Sequence, residues 1–417
     1  MVSGNLMLDT SRMITKRLML PALMLAALTA CFNSTGLQRG YLTKRKMLLP
    51  PPTRAAIVIP GFGNTRLYDP VNEKFVWGTP RSMVTAHFED DLELPLEGHA
   101  SDRLIPRGFV GSRAPINIAW RLSTALQRFG GYVTTEAAGD PTVYAFEFDW
   151  RLSFVDNGRK LGEFIDELRL RRGDPSEEFD IVGHSSGGLV VLAYLSNGGE
   201  SLEAPETWAR GAAAAASRVR RAVLVATPGR GSAEAFRFMA RGETMLRRSL
   251  LPERVATFPS VFELLPFDSY AVGEDGQSID LTTIEQWKEY KLAIWSAPNP
   301  DPALERRFAE LLDRTKRFQQ LLAARPRLVP TDMIAGDCVP TVKRVLVRDD
   351  GSIVLYQREL LPKEVGRFNE LFGPGDGSIL TSSAEGDDPS PTYLCTGHFG
   401  LASDPDAVRA ILRLLVD

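Results

Sequence analysis

At 417 residues with 44% apolar side chains, the chain has room for one large catalytic domain with insertions or two modest ones, and for a substantial core. A formal net charge of -3, with no basic stripe interleaved with aromatics, gives no electrostatic footing for nucleic acid. No His-Glu-x-x-His, close cysteine pair or solenoid-length repeat occurs, so neither a metal nor another cofactor is called for.

The first thirty residues differ from the rest. Lys16 and Arg17 precede an uncharged stretch, 18–30, that closes on Leu28-Thr29-Ala30-Cys31. A short apolar core behind a basic start reads as a secretory signal, too short to span a bilayer. Its ending resembles a bacterial lipoprotein box, with Met13 as the better start and cleavage before a lipidated Cys31. Phe32 rather than Asp follows, which gives no reason for inner-membrane retention. The expectation is an exported, membrane-tethered protein, with 1–31 as signal and anchor and 32–53 as a tether. The remainder, 54–417, is then the catalytic domain.

After Pro50-Pro51-Pro52 come short runs apolar on both faces, at 55–59, 143–148, 179–182, 222–226 and 333–335, which suit buried parallel strands. Between and after them the spacing predicts helices over 117–129, 161–170, 302–324 and 404–415, the last with Asp404 as N-cap before Pro405. Alternation around Asp350-Gly351 predicts a hairpin over 342–357. Strands alternating with helices give a mostly parallel sheet covered on both faces, an α/β architecture. Two stretches fit the alternation poorly, 64–115 and 229–300, and read as cap insertions over the sheet.

The strongest signal is a strand, then Gly183-His184-Ser185-Ser186-Gly187, then the apolar helix start Leu189-Val190-Val191-Leu192. A sharp strand-to-helix turn exposes the central hydroxyl, and the flanking glycines avoid clashes. The new helix aims its free N–H groups at a developing oxyanion. Ser185 is therefore the candidate nucleophile. The chain has four histidines: His87, His99, His184 and His398. In this order of motifs the base follows the nucleophile along the chain, and His398 alone does so. The acid that orients it is Asp376 or Asp337, each in a suitable loop, whereas Asp349 and Asp350 sit in a hairpin turn. Pro60-Gly61-Phe62-Gly63 follows the first strand, so the Phe62 N–H, with that of Ser186, is the candidate oxyanion donor pair. Cys338 and Cys395 are either a disulfide bracing the His398 loop or two buried thiols.

Several segments together resemble the lecithin:cholesterol acyltransferase family with its phospholipase relatives. They are Ile59-Pro60-Gly61-Phe62-Gly63-Asn64, Phe148-Asp149-Trp150-Arg151, 183–187, Ala226-Thr227-Pro228-Gly229, Pro259-Ser260 with Leu264-Leu265-Pro266, Gly375-Asp376-Gly377 and His398. The resemblance implies an α/β-hydrolase that takes an acyl chain from a lipid ester, phospholipid or neutral lipid, and passes it to an alcohol or water. It implies Asp376 as the acid, since Asp337 falls where the family has a Gly-x-Pro-Thr turn. Phe75 and Trp77 correspond either to a lipid-contacting region or to packed core. No cysteine pair flanks Trp77, and nothing identifies a sterol acceptor. The expected partner is a lipid substrate at a membrane surface, with Phe236, Phe238, Met239 and residues 261–267 lining an acyl groove. The rivals are an esterase for soluble esters and a catalytically inactive lipid-binding lipoprotein.

Overall fold

The computed structural model describes residues 50–82, 91–96, 103–111, 117–245, 248–386, 388 and 390–416. Cys31, residues 32–49 of the tether, His87 and His99 lie outside these residues. No helix among the described residues is long and apolar enough to cross a membrane.

Six strands form the central sheet: β1 (Ala56–Ile59), β2 (Val143–Ala145), β3 (Phe179–His184), β4 (Val219–Val225), β5 (Thr331–Gly336) and β6 (Thr392–Leu394). They run in the order β6-β5-β4-β3-β1-β2, and every neighbouring pair is parallel. Side chains alternate across the sheet with a period of two. Ala56, Val58, Val182, Val223, Val225 and Ile334 therefore face one core, where α1 (Ile118–Phe129) and the C-terminal helix Pro405–Val416 pack. Ile57, Ile59, Ile181, Ala222, Leu224 and Met333 face the other. It is filled by α2 (Phe154–Arg172) and α3 (Ser186–Asn197) among others. A parallel sheet covered on both faces by helices, with the Ser185 turn after a central strand, is the α/β-hydrolase fold.

Most departures from the sequence expectation are at element ends. The strand expected over 143–148 stops at Ala145. Only the Phe146 N–H continues the pairing, to Val58 O at 2.9 Å, before the chain turns into the buried Asp149–Arg151 pair. The helix expected over 161–170 begins earlier, at Phe154, where Ser153 caps it. Asp404 caps the last helix as expected, its Oδ1 accepting from the N–H groups of Asp406 and Ala407.

Residues of the 64–115 stretch build a three-stranded antiparallel sheet, with Thr65–Asp69 between Lys74–Trp77 and Ile105–Phe109. The expected hairpin pairs Val345–Val347 with Ile353–Val354. Val345–Val347 also runs parallel to Ala271–Gly273, which joins the hairpin to the 229–300 stretch. Within that stretch, Pro259–Glu263 is clamped to the sheet domain through Ser260, whose Oγ donates to Trp150 O at 2.7 Å, and through Glu263. Glu263 accepts from Ser153 Oγ at 2.6 Å and from the Phe154 N–H at 2.7 Å, at the N-terminus of α2.

Candidate active site

Ser185 sits between β3 and α3 with φ 54° and ψ -132°, a conformation that a side chain-bearing residue adopts only under strain. Three glycines make the turn sterically feasible. A Cβ on Gly183 would lie 2.8 Å from Gly188 Cα, and one on Gly187 would lie 2.3 Å from Pro60 O. One on Gly188 would fall 1.9 Å from Thr227 Oγ1. β3, the start of α3, Pro60 and Thr227 are thus packed too closely for any other residue at these positions.

His398 Nε2 lies 2.9 Å from Ser185 Oγ, and its Nδ1 lies 2.8 Å from Asp376 Oδ2. A carboxylate only accepts, so Nδ1 carries the proton and Nε2 presents its lone pair to the serine hydroxyl. The other carboxylate oxygen, Oδ1, accepts from the backbone N–H groups of Ser378 and Ile379 at 2.9 and 2.7 Å. Burial works against the charged form of Asp376. The His398 hydrogen bond and charge, with the two backbone donors, outweigh it and hold the carboxyl below its usual range. Asp337 is exposed, and it is Asp376 that meets His398.

The loops that carry Asp376 and His398 are tied to each other. The His398 N–H donates to Asp376 O at 2.9 Å, and Val339 N–H donates to Gly375 O at 2.9 Å. Cys338 and Cys395 form a disulfide with Cα atoms 5.1 Å apart, which links the loop after β5 to the loop three residues before His398.

The loop 61–64 lies against Ser185. A Cβ on Gly61 would sit 2.8 Å from Ser185 Cβ. The loop is pinned by Trp77, whose indole N–H donates to Gly63 O at 2.7 Å, and by Asn64, whose Oδ1 accepts from the Ile118 N–H at 2.9 Å. Among the described residues, the N–H groups of Phe62 and Ser186 make no hydrogen bond.

Ser185, Ser186, His398, Phe62, Trp77 and Trp150 line a mostly apolar cavity of about 330 Å³. Of the expected groove residues, Phe238, Val261 and Leu264 line it. Phe236 and Met239 do not; both are fully buried, and Phe236 packs on Tyr270 and Trp287. The Phe62 ring packs on Trp150 at 4.5 Å and on Phe238 at 5.6 Å. One wall carries charge that sequence reasoning missed. Arg237 lies 2.6 Å from Glu234 and also bridges to Glu243, and all three line the cavity. Spacing on the helix Ala233–Arg241 makes the 234–237 pair legible, but not its place in the cavity that Ser185 lines. No cluster of metal-ligating side chains occurs among the described residues.

A family model matches part of the chain. The model of the lecithin:cholesterol acyltransferase family matches residues 126–299. The chain resembles that family, as its motifs indicate. The matched stretch contains α2, β3, Ser185, β4 and the Glu263 clamp, and it supports a lipid-ester hydrolase or acyltransferase. A chain from the crystal structure of the Tle4–Tli4 complex aligns over 88% of this chain and 98% of its own length, at 13% identity with a TM-score of 0.55. That likeness shows the fold. The mature-form lipase BlEst2 of Bacillus licheniformis aligns over 88% and 94% of the two chains, at 13% identity and a TM-score of 0.40. No curated protein matches the chain in sequence.

Proposed function

We propose that this protein is a serine acyl hydrolase or acyltransferase of lipid esters, with Ser185 as nucleophile, His398 as general base and Asp376 as the orienting acid. The observation that carries the reading is the Ser185–His398–Asp376 relay, at 2.9 and 2.8 Å, opening onto an apolar cavity of about 330 Å³. His398 takes the hydroxyl proton as Ser185 Oγ attacks the ester carbonyl. The Phe62 and Ser186 N–H groups, which have no described partner, stabilise the oxyanion. His398 then returns the proton to the leaving alkoxide, and an acyl group stays on Ser185. Water or a second alcohol enters and gives its proton to His398, which passes it to the departing Ser185 Oγ as the acyl chain leaves as acid or ester. Asp376 stays ionised and stabilises the imidazolium formed at each half-reaction.

The Glu234–Arg237–Glu243 cluster in the cavity wall favours a donor with a charged head group over a neutral triacylglycerol. A lipid anchor on Cys31 would keep the enzyme at the membrane that supplies such a donor. Full-length protein given phosphatidylcholine vesicles, a triacylglycerol emulsion or a short soluble ester tests the assignment. Faster acyl release from the vesicles supports it. Turnover of the soluble ester alone would replace it with a soluble-ester esterase, and no turnover with any substrate would leave a lipid-binding protein.

A further inference from the structure

One buried imidazole beside the relay has no place in the proton transfers. His184, the residue before the nucleophile, is 1% exposed, and its ring lies 5.1 Å from that of His398, centroid to centroid. Its Nε2 is 3.2 Å from the backbone carbonyl oxygen of His398. A carbonyl only accepts, so Nε2 carries the proton. That tautomer leaves Nδ1 as a bare acceptor, buried and without a partner among the described residues. Burial, and then the neighbouring His398, push the His184 pKa down to about 3, so the ring remains a neutral donor across the working range.

A buried ring nitrogen with no partner costs desolvation energy, and an apolar ring of similar size would avoid that cost. Among the described residues, the one hydrogen bond of the His184 ring is with the residue whose imidazole must hold its place beside Ser185. The His398 main chain is thereby gripped at both ends of one residue. Its N–H is held by Asp376 O at 2.9 Å and its carbonyl by His184. Phe399, next along, is 51% exposed, so the fastening lies on the buried side. His184 also belongs to the strand-to-helix turn, so the bond ties the base loop directly to the residue before the nucleophile.

We propose that His184 is a positioning residue, whose Nε2–H fixes the His398 backbone and so keeps the imidazole in register with Ser185 Oγ. The proposal rests on the reading of Ser185 and His398 as nucleophile and base.

Its test compares wild type with His184→Phe, His184→Asn, His184→Gln and Ser185→Ala in full-length protein, reading kcat, KM and melting temperature on phosphatidylcholine vesicles. Phe keeps the ring but has no donor, and the shorter Asn amide does not reach the Nε2 position. The Gln amide reaches it. The expected result is a kcat lowered about 10- to 100-fold in Phe and Asn, since small misplacements of a reacting group are costly. KM should stay within about twofold, and Gln should return kcat to within a few-fold of wild type. Comparable kcat losses in Phe, Asn and Gln, or losses that follow melting temperature, would overturn the proposal in favour of a packing role. Wild-type kcat in a folded Phe or Asn variant, with Ser185→Ala inactive, would also overturn it while leaving the nucleophile assignment intact. Turnover persisting in Ser185→Ala would remove both together.

Discussion

Gly61 and Ser185 approach so closely that a Cβ on the glycine would lie 2.8 Å from the serine Cβ and 3.2 Å from its Oγ. The loop carrying the Phe62 N–H is thus placed directly against Ser185. Gly61→Ala must displace one of the two. A shift of about 1 Å at a reacting centre costs about 10²-fold, so kcat should fall by about that factor while the fold persists. Steady-state kinetics beside a melting curve checks this.

Asp376 and Asp337 make a matched pair of substitutions. Asp376→Asn keeps the shape but loses the acceptor charge facing His398 Nδ1, so the wrong tautomer is favoured. By the behaviour of such triads, kcat should fall about 10⁴-fold. Asp337→Asn, at an exposed position, should leave kcat within about twofold. The reverse ranking would move the acid to the other loop.

Glu263 gives stability a pH dependence. Burial raises its carboxyl from an ordinary 4.5 to about 7, against the opposing effects of Arg314, Ser153 and the Phe154 N–H. Between those two values the folded chain holds a proton that the unfolded chain has released. Stability therefore falls as pH rises from 4.5 to 7, by at most about 1.4 kcal/mol per pH unit for one proton. Glu263→Gln should flatten that part of the curve. Urea midpoints of both proteins across this range, compared by difference, isolate the contribution.

The disulfide closes a 57-residue span between the loop after β5 and the base loop. Cys395→Ser should destabilise the protein by about 2–4 kcal/mol. Because the released loop carries His398, activity should fall well below the melting temperature too. A reductant titration followed by activity and by denaturation midpoint measures both effects.

How much of this was legible in the sequence varies with how local the cause is. The turn at Ser185 could be read because its glycines, strand and helix are contiguous. His398 could be read because chain order excluded the other histidines. Asp376 and Asp337 could not be separated by local pattern, since what distinguishes them is which loop folds back onto His398. The Cys338–Cys395 pairing depended on a Cα separation that no spacing encodes. The Glu263 clamp and the His184–His398 contact join positions 109 or more residues apart, so neither leaves a periodic trace. The charged wall of the cavity was hidden for a different reason: an i,i+3 ion pair on an amphipathic helix is read as a solvated face. The expected groove residues Phe236 and Met239 went to the core because helical periodicity identifies an apolar face without saying whether it meets a cavity or packed side chains.

The central claim is a covalent acyl group on Ser185. Its most direct test mixes full-length protein with a long-chain ester donor, quenches in acid within one turnover, and maps the modified peptide by mass. The account predicts the acyl mass on Ser185, absent from Ser185→Ala, which should also lose turnover. An acyl group on another residue, or turnover that survives in Ser185→Ala, would contradict it.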